Sequence, residues 1–413
     1  MHEQPSRFLT KIVIFALLQV GCARDLRNVT EPKTPQICMS LKATGRDDTD
    51  LIQTALNSCT TGKAVSLSSG VFHSGPLTIP SGVSLLVDKA VTLKATPDPK
   101  LYDQGAKTCG TLDDYGVGCK AFITMLRAKG SGIYGKGAID GQGGEKMTGT
   151  NTTWWQLSHD AKVNGKYQNN PRLIQINNSV DITVYQITLK NSPFYHLTSS
   201  ETNGFTVWGI TIDSANATRN TDGVNPMGSQ NVTIAYCNIR TVDDNIAIKA
   251  VTAPSRHISV YSNHFNHGDG VAIGSEVNNG VSDVTFIGLT LNHLIYGIYI
   301  KSDTLNGGLV TNITYENICI ENVRDPICLD TNYYNKTGDR IPEIRNITFN
   351  NIWVHSKGNF IFNGLNDSFP VYIQMNDVHI KEGSRWSVNH AKITGSWKND
   401  VSIKNCGYYG NNY

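Results

Sequence analysis

Short segments of alternating polar and apolar residues recur along the second half of the chain. The first is Asp181-Ile182-Thr183-Val184, in which a polar residue precedes an apolar, Thr and apolar triplet. Similar segments begin at Gly204, Asn231, His257, Asp283, Asn312 and Asn346, and their first apolar residues recur at intervals of 23, 27, 26, 26, 29 and 34 residues. Alternation with a period of two predicts short β-strands. A repeat of roughly 20–50 residues predicts a solenoid, a propeller or another repeat array.

Many of these units contain further short strands, which favours one of the repeat architectures. Ile187-Thr188-Leu189 follows the first segment, and Ile246-Ala247-Ile248 is a third strand of a later unit. Propeller blades usually have four strands and a longer period, whereas two or three strands of about 3–5 residues fit one coil of a parallel β-helix. We therefore predict an all-β parallel β-helix, whose first coils include residues 83–87 and 91–93.

A solenoid needs a cover over its open end, because an exposed edge recruits other strands. Residues 47–56 supply a candidate, since Asp48 or Thr49 can cap a helix there. Four apolar residues of this segment fall on one helical face, namely Leu51, Ile52, Ala55 and Leu56. We predict a short N-terminal capping helix. No Pro/Gly/Ser-rich linker divides the rest, so we expect residues 24–413 to form a single domain.

The N-terminus is typical of a secretory signal peptide. Arg7 and Lys11 precede the apolar run 12–18, and Gly21 and Ala23 fit a cleavage site after residue 23. The run is too short to span a bilayer. A lipoprotein signal ending at Cys22 is an alternative that the upstream sequence fits poorly. We therefore predict that residues 1–23 direct secretion to the extracellular space, and no later segment resembles a membrane span.

Composition agrees with a turn-rich β protein and excludes some partners. Only 17% of the 413 residues are charged and 38 are glycine. The formal net charge of +2 gives no basic footprint for nucleic acid. We expect a monomer that binds neither nucleic acid nor membranes.

Cysteine and asparagine patterns agree with a secretory route. Removal of Cys22 leaves eight cysteines, so disulfides are expected in an oxidising compartment. The pairing stays open, although Cys109 with Cys119 and Cys319 with Cys328 would each close a short loop. Metal binding is less favoured, because no Cys-x-x-Cys pair or His cluster accompanies them. Glycosylation sequons begin at Asn28, Asn151, Asn177, Asn216, Asn231, Asn312, Asn335, Asn346 and Asn366. Several of these asparagines also stand where a turn leads into a strand.

Acidic segments recur at the spacing of one coil in the middle of the chain. They are Asn220-Thr221-Asp222-Gly223, Asp243-Asp244 and Gly268-Asp269-Gly270. An inverting glycosidase needs a protonated acid at the leaving oxygen and an ionised base beside a water molecule. Crowding of carboxylates raises the pKa of some of them and so separates these roles. Solvated turns are the alternative interpretation. Adjacent strand residues point to opposite faces, so Asp243 and Asp244 can share a site only if a bend occurs at Val242-Asp243.

Several motifs in order resemble those of glycoside hydrolase family 28, the polygalacturonases and related pectin hydrolases. The matching segments are Ile139-Asp140-Gly141-Gln142-Gly143, Trp154-Trp155, Asn191-Ser192-Pro193-Phe194, Asn220-Thr221-Asp222-Gly223, Asp243-Asp244-Asn245-Ile246-Ala247-Ile248-Lys249 and Gly270-Val271-Ala272-Ile273-Gly274-Ser275-Glu276. The resemblance implies a right-handed parallel β-helix. It also implies inverting hydrolysis of α-1,4 bonds between galacturonic acid units of pectin, without a metal or another cofactor.

The resemblance assigns roles to individual residues. Asp243 matches the general acid, and Asp222 and Asp244 match the pair that activates the attacking water. Asn220 matches a residue that orients this group, and Lys301 matches a substrate-binding lysine.

The chain departs from the family pattern at positions that would contact substrate. Asp269 occupies the histidine position of a Gly-His-Gly motif, and Tyr299 the arginine position of an Arg-Ile-Lys motif. His267 could replace the missing histidine only after a local shift of the loop, and Val242 replaces a glycine. A tyrosine cannot give the bidentate grip of arginine on a carboxylate. We place His267, Asp269 and Tyr299 at the substrate and predict activity that is reduced or shifted toward a substituted or less charged pectin region.

Other functions stay open at this point. A catalytically inactive homologue could bind pectin or a plant inhibitor protein, which the two altered positions motivate. A structural adhesin would leave the carboxylates unexplained. A pectate lyase would need an acidic calcium site and an arginine base that the sequence does not reveal.

Overall fold

The computed structural model describes residues 24–214 and 218–400. The predicted signal peptide, Asn216 and Cys406 lie outside the described residues. In the described ranges the strands are β1 (Gln36–Lys42), β2 (Lys63–Ser69), β3 (Val71–Ser74), β4 (Leu77–Thr78), β5 (Ser84–Val87), β6 (Thr92–Ala95), β7 (Leu112–Asp113), β8 (Ile123–Leu126), β9 (Gly132–Tyr134), β10 (Ala138–Asp140), β11 (Tyr167–Gln168), β12 (Ile174–Asn177), β13 (Val180–Tyr185), β14 (Thr188–Lys190), β15 (Leu197–Ser200), β16 (Asn203–Trp208), β17 (Thr211–Asp213), β18 (Val224–Met227), β19 (Gln230–Ala235), β20 (Asn238–Arg240), β21 (Ile246–Ile248), β22 (Ser255–Tyr261), β23 (His264–Asn266), β24 (Val271–Ile273), β25 (Val281–Ile287), β26 (Thr290–Asn292), β27 (Tyr296–Lys301), β28 (Gly308–Glu321), β29 (Asp325–Asp330), β30 (Pro342–Val354), β31 (Asn359–Asn363), β32 (Val371–Lys381), β33 (Arg385–Asn389) and β34 (Ala391–Asp400).

These strands wind into a right-handed parallel β-helix, which confirms the predicted fold class. A typical coil contributes one strand to a sheet that runs from β4 through β8, β12, β15, β18, β21, β24, β27, β29 and β31 to β33. The other two strands of the coil, such as β13 and β14, join the larger sheet. Most strands therefore pair in parallel with a counterpart one coil away, which places residues distant in sequence side by side, while β7 and β11 form a separate antiparallel pair.

The repeated apolar positions stack in register along the interior. Ile182 pairs with Phe205, then Val232, Ile258, Val284, Ile313 and Ile347 in successive coils. All of these side chains are fully buried. Burial contributes about 25 cal/mol per Å² of apolar surface, so this continuous column is a main source of stability.

The polar residue that opens each repeat has a structural role of its own. Its φ is positive in every copy: 54° at Asp181, 84° at Gly204, 54° at Asn231, 57° at His257, 57° at Asp283, 56° at Asn312 and 53° at Asn346. Glycine, asparagine and aspartate tolerate this backbone region better than other residues. The bend therefore accounts for asparagine at three predicted sequons, while glycosylation there stays a prediction.

The helices of the described ranges are α1 (Thr49–Ser58), α2 (Pro99–Tyr102) and α3 (Trp154–Val163), with a 3₁₀ turn at Tyr333–Asn335. The first confirms the predicted capping helix, since it begins after Asp48 and packs on β2 and β4. Ile52, Ala55 and Leu56 are buried, but Leu51 is exposed. The assignment of Leu51 to the buried face was wrong, because the surface of α1 that contacts the coil is narrower than the predicted apolar face. Among the described residues, we find no helix of sufficient length and apolarity to cross a membrane.

The disulfides only partly follow the predicted pairing. Cys109 bonds to Cys119, as predicted, and Cys38 bonds to Cys59. Cys328 is a buried free cysteine, so the predicted Cys319–Cys328 disulfide is wrong. The short loop between them was a misleading signal, because Cys319 lies in β28 of the larger sheet and Cys328 in β29 of the other.

Candidate active site

Consecutive coils bring three carboxylates to matching positions. Asp222, Asp244 and Asp269 each precede a strand of the smaller sheet, namely β18, β21 and β24. The backbone ladder extends to them, because Gly223 N donates to Asp244 O at 2.9 Å and Asp269 N donates to Asp243 O at 3.1 Å. The acidic segments therefore lie on neighbouring coils at the same end of these strands.

Asp243 lies beside this row because the chain bends before β21, as expected for residues Val242-Asp243. Its Oδ2 accepts from Asn220 N at 2.6 Å and its Oδ1 accepts from Asp244 N at 3.0 Å. Asp243 is half-buried, whereas Asp222 and Asp244 are each only 2% exposed. Asp243 is therefore the carboxylate of the three that is most open to a bound molecule.

Asp243, Asp244 and Asp269 form the tightest acidic group. One carboxylate oxygen of each lies within 4.8 Å of the others, a spacing that could hold a cation. However, Lys301 Nζ donates to both oxygens of Asp244, at 3.0 and 2.9 Å. The lysine ammonium therefore already supplies a positive charge at Asp244, one member of this group.

The crowding changes how readily these carboxyl groups ionise. Burial, with the neighbouring Asp243, raises the pKa of Asp222 well above its ordinary value. Burial raises the pKa of Asp244 to about 6, although Lys301 opposes the shift. Burial and the charges of Asp244 and Asp243 raise the pKa of Asp269 to about 7. Because such groups titrate together, the cluster as a whole retains protons close to neutral pH.

One carboxylate oxygen of Asp222 is buried and has no hydrogen-bond partner among the described residues. Its Oδ2 accepts from Asn225 Nδ2 at 2.8 Å, while its buried Oδ1 has no hydrogen-bond partner among the described residues. A buried, unpaired carboxylate oxygen is costly and indicates a position for a water molecule or substrate hydroxyl. The free oxygen therefore suits the predicted activation of water.

Asn220 and His267, both predicted to contact substrate, lie in other surroundings than the sequence predicted. Asn220 supports Asp243 through its backbone N–H, while its side-chain Oδ1 accepts from Gln168 Nε2 at 3.2 Å. His267 is exposed, and its backbone oxygen accepts from Asn245 Nδ2 at 3.0 Å. Asp269, and not His267, thus enters the acidic cluster.

Tyr299 lies in a group of tyrosines whose rings contact one another, which we call the tyrosine cluster; its members are Tyr296, Tyr299, Tyr333 and Tyr334. Ring centroids are 4.2 Å apart for Tyr296 and Tyr299, 6.2 Å for Tyr299 and Tyr333, and 4.2 Å for Tyr333 and Tyr334. Lys301 Nζ is 4.7 Å from the centroid of Tyr299. The cluster therefore adjoins the acidic group through Lys301.

Sequence reasoning missed a second buried lysine. Lys249 Nζ donates to Glu276 Oε2 at 2.9 Å, and this pair holds the pKa of Glu276 at about 2. Lys249 also acts electrostatically on Asp222 and Asp244. Comparison of Ile-Ala-Ile-Lys249 with Ile-Tyr-Ile-Lys301 could have revealed it, because the two lysines occupy equivalent ends of β21 and β27.

His196 contacts the backbone of the acidic row at Asp222. It is fully buried, with Nε2 2.7 Å from Ser214 Oγ and Nδ1 2.9 Å from Asp222 O. Burial lowers its pKa to about 4, so it is neutral at ordinary pH. Its contacts indicate that it positions the Asp222 backbone.

The structure is a parallel β-helix that carries a row of buried and half-buried carboxylates on neighbouring coils. Glycoside hydrolases are the class of protein that these features fit best. Comparison with known proteins confirms this class, since the family model described as Glycosyl hydrolases family 28 matches residues 59–401. The chain belongs to glycoside hydrolase family 28.

Similar proteins match most of the chain. An endo-polygalacturonase of Pectobacterium parmentieri is 46% identical over 376 residues, which are 90% of this chain and 93% of that protein. A polygalacturonase of Ralstonia solanacearum is 38% identical over 75% of this chain and 66% of its own length. The solved structure of a polygalacturonase from Erwinia carotovora ssp. carotovora has a TM-score of 0.85 and 45% identity, over 90% of this chain and all of that one.

Proposed function

We propose that this protein is a polygalacturonase-like hydrolase that cleaves α-1,4 galacturonosyl bonds of pectin with inversion of configuration. The observation that carries the proposal is the assembly of Asp222, Asp243 and Asp244 by neighbouring coils. The names of its relatives, endo-polygalacturonase and polygalacturonase, support the same substrate class.

Asp243 is the general acid in this proposal. It is the half-buried member of the three, so a glycosidic oxygen can approach it. Asp244 and Asp269 each place a carboxylate oxygen within 4.8 Å of an oxygen of Asp243. Asp243 gives a proton to the leaving oxygen as the bond from C1 to this oxygen breaks.

Asp222 and Asp244 activate the attacking water. The unpaired Oδ1 of Asp222 accepts one hydrogen of the water, and the water oxygen bonds to C1 on the face opposite the leaving group. The water proton passes to the carboxylate pair as the new bond forms. Lys301, at 2.9 Å from Asp244, favours the ionised form of Asp244 and so supports its role as a base.

We also propose that the protein is secreted and acts on pectin outside the cell. The predicted signal peptide over residues 1–23 and the disulfides Cys38–Cys59 and Cys109–Cys119 support this location.

Release of reducing ends from a panel of pectic polymers tests the proposed function. Wild type should release them, and Asp243→Asn should lower the rate by at least about a hundredfold, because it removes the proton donor. Asp213→Asn is the matched control, since Asp213 is an exposed carboxylate paired with Arg240 on the other sheet. Failure of wild type to release reducing ends from any pectic polymer would remove the proposal.

The inactive homologue remains as the alternative, and the same proteins distinguish it. It predicts binding to pectin, or to a plant inhibitor protein, that persists in Asp243→Asn while wild type has no turnover. The free oxygen of buried Asp222 favours the catalytic proposal, because a surface that only binds has no need of an unpaired buried carboxylate.

A further inference from the structure

We propose that the part of the cleft beside the tyrosine cluster takes an uncharged pyranose unit, specifically a galacturonate whose carboxylate is masked as a methyl ester. This inference rests on the proposed function, because it concerns the sugar next to the bond that Asp243 cleaves. A neutral sugar at the same position offers the same uncharged face, and the experiment below separates the two sources.

The tyrosine cluster gives this side of the cleft an apolar wall. Tyr299 is only 5% exposed and pairs in register with Ala272 of β24 and Cys328 of β29. Its ring is therefore held in place from both sides. Tyr333 is half-buried above it, and Tyr334 is 76% exposed. Aromatic walls with a few polar atoms are typical of sites for the faces of sugars and other small ligands.

A short turn presents the outermost ring of this wall. Tyr334 has φ 52° and ψ 24°, and Asn335 next to it has φ 52°. The same left-handed backbone opens each repeat of the scaffold. The ring of Tyr334 is therefore held out toward solvent by a bend of the kind that this fold uses throughout.

Three cations of the site or of the tyrosine cluster are paired with carboxylates of the protein. Lys301 donates to both oxygens of Asp244, and Lys249 pairs with Glu276. Arg324, 5.1 Å from the centroid of Tyr296, pairs with Asp325 at 2.8 Å. A free substrate carboxylate here would have to compete for these partners.

The acidic group adds repulsion to this competition. Asp269 stands between Asp244 and the tyrosine cluster along the coils, since β24 lies between β21 and β27. It carries a buried Oδ1 without a hydrogen-bond partner among the described residues. A substrate carboxylate would bring a further negative charge to the crowded group of Asp243, Asp244 and Asp269, whereas an ester or hydroxyl group could approach this oxygen without adding charge.

Lys336 is the exposed cation that a charged sugar would meet here. Its Nζ lies 5.6 Å from the centroid of Tyr333. An exposed ammonium is a hydrated point charge without the fork of arginine, so its attraction for a carboxylate is weak. Lys336 therefore does not replace the arginine that the family pattern has at the position of Tyr299.

The opposite end of the row has a different character. A cavity of 310 Å³ on β8 and β12 is lined by Lys120, Arg172, Gln175 and Asn177. Arg172 donates to Gln175 Oε1 and lies 5.3 Å from the centroid of Tyr195. This end offers positive charge to a free carboxylate. The cut thus falls between a charged unit on the N-terminal coils and an uncharged unit on the C-terminal coils.

A comparison of substrates tests the inference in the wild-type protein. The substrates are fully de-esterified polygalacturonate, the same polymer with about half of its carboxylates methylated at random, and a polymer that alternates galacturonate with a neutral sugar. We expect the partly esterified polymer to be cleaved about tenfold faster than the de-esterified one. Mass spectrometry of its products should find methyl esters enriched at only one of the two new chain ends.

Variants connect the preference to the named residues. Tyr299→Arg should reverse the preference and abolish the enrichment of ester at that end. Asp269→Asn, which tests the repulsion without changing the tyrosine cluster, should raise cleavage of the de-esterified polymer. Lys336→Met should leave the preference unchanged. Tyr372→Arg is a control for added positive charge, because Tyr372 lies in β32 of the other sheet.

The outcomes separate this inference from the proposed function. Faster cleavage of the de-esterified polymer, with free carboxylates at both new ends, would overturn the inference and leave the hydrolase intact. If the protein prefers only the polymer with the neutral sugar, this result would support an uncharged sugar unit beside the tyrosine cluster. It would overturn the proposal that this unit is a methyl-esterified galacturonate. Absence of cleavage in all polymers would overturn the proposed function itself, and the inference with it.

Discussion

Lys301 and Asp244 form a buried ion pair between coils that are not neighbours. Their side chains are 6% and 3% exposed, and β24 separates their strands β21 and β27. Gly274 follows β24 in register with Lys301, and a Cβ there would be 1.9 Å from Lys301 O and 3.2 Å from Lys301 Cγ. The absence of a side chain at this position leaves room for the lysine stem as it reaches past β24 to the acidic row.

Removal of the lysine charge should therefore harm both folding and catalysis. Lys301→Met leaves Asp244 buried without its counter-charge, which costs about 3–5 kcal/mol of unfolding free energy. We expect activity on pectin to fall by at least about a hundredfold. Chemical denaturation and initial rates measure the two effects.

A double variant separates the two effects of this pair. Lys301→Met with Asp244→Asn should recover much of the lost stability but none of the activity, because the unpaired charge and the catalytic carboxylate are both gone. Lys89→Met, an exposed lysine, is the control. Equal stability of Lys301→Met and wild type would contradict the importance of the pair.

The raised pKa of Asp269 predicts how stability depends on pH. Its pKa is about 7 in the folded protein, against an ordinary value of 3.8. Between about pH 4 and about pH 7 the folded protein keeps this proton, whereas the unfolded chain loses it. The free energy of unfolding of wild type should therefore fall as pH rises across this interval. Asp269→Asn lacks this loss. Its Tm relative to wild type should therefore rise over the same interval.

Thermal unfolding at a series of pH values measures this difference. Asp213→Asn, which changes an exposed carboxylate, should give a Tm difference that stays flat. A flat difference for Asp269→Asn as well would mean that Asp269 is not protonated in the folded protein.

Gly223 sets the spacing of the two coils that carry Asp222 and Asp244. A Cβ at this position would lie 2.3 Å from Asn245 O and 3.0 Å from Ile239 Cγ2. Gly223→Ala should push these coils apart and displace Asp222, which precedes it. Misplacement by about 1 Å can lower a rate by about a hundredfold, so we expect a loss of that order together with a lower Tm.

Gly75→Ala is the matched control for Gly223→Ala. A Cβ there would meet the flexible side chain of Leu101 at 3.3 Å, and the change should be tolerated. Retention of full activity by Gly223→Ala would refute the close approach of the two coils.

The cysteine assignments are open to peptide mapping. A digest without reduction should contain linked peptides for Cys38 with Cys59 and for Cys109 with Cys119. Cys237 and Cys328 are buried and free, so iodoacetamide should modify them only after unfolding. A linked peptide of Cys319 with Cys328 would contradict the structure.

Local patterns predicted the scaffold because each coil repeats them. Residues such as Asn231 and Asp283 open a repeat with a left-handed backbone, and the apolar residue that follows each one enters the interior. Period and turn chemistry are properties of a short segment, so they can be read without knowledge of the neighbouring coil. The same is true of Asp222 and Asp244, whose spacing of about one coil predicted their proximity.

Contacts that depend on register across several coils could not be predicted in this way. The pair of Lys301 with Asp244 spans two coil steps, and the tyrosine cluster combines β27 with a turn more than thirty residues later. Leu51 was misassigned for a similar reason, since its exposure depends on where α1 meets the coil. Sequence identified Asp269 and Tyr299 as departures from the family pattern at the substrate, but it could not show that Asp269 joins the acidic group or that Tyr299 contacts Tyr296 and Tyr333.

The central claim is that neighbouring coils assemble Asp222, Asp243 and Asp244 for hydrolysis with inversion. Proton NMR of the first product formed from an α-1,4-linked galacturonate polymer tests it most directly, because the new reducing end records the face of attack. We predict that the β-anomer appears first and then equilibrates with the α-anomer. Initial formation of the α-anomer, or the absence of any new reducing-end signal, would contradict the account.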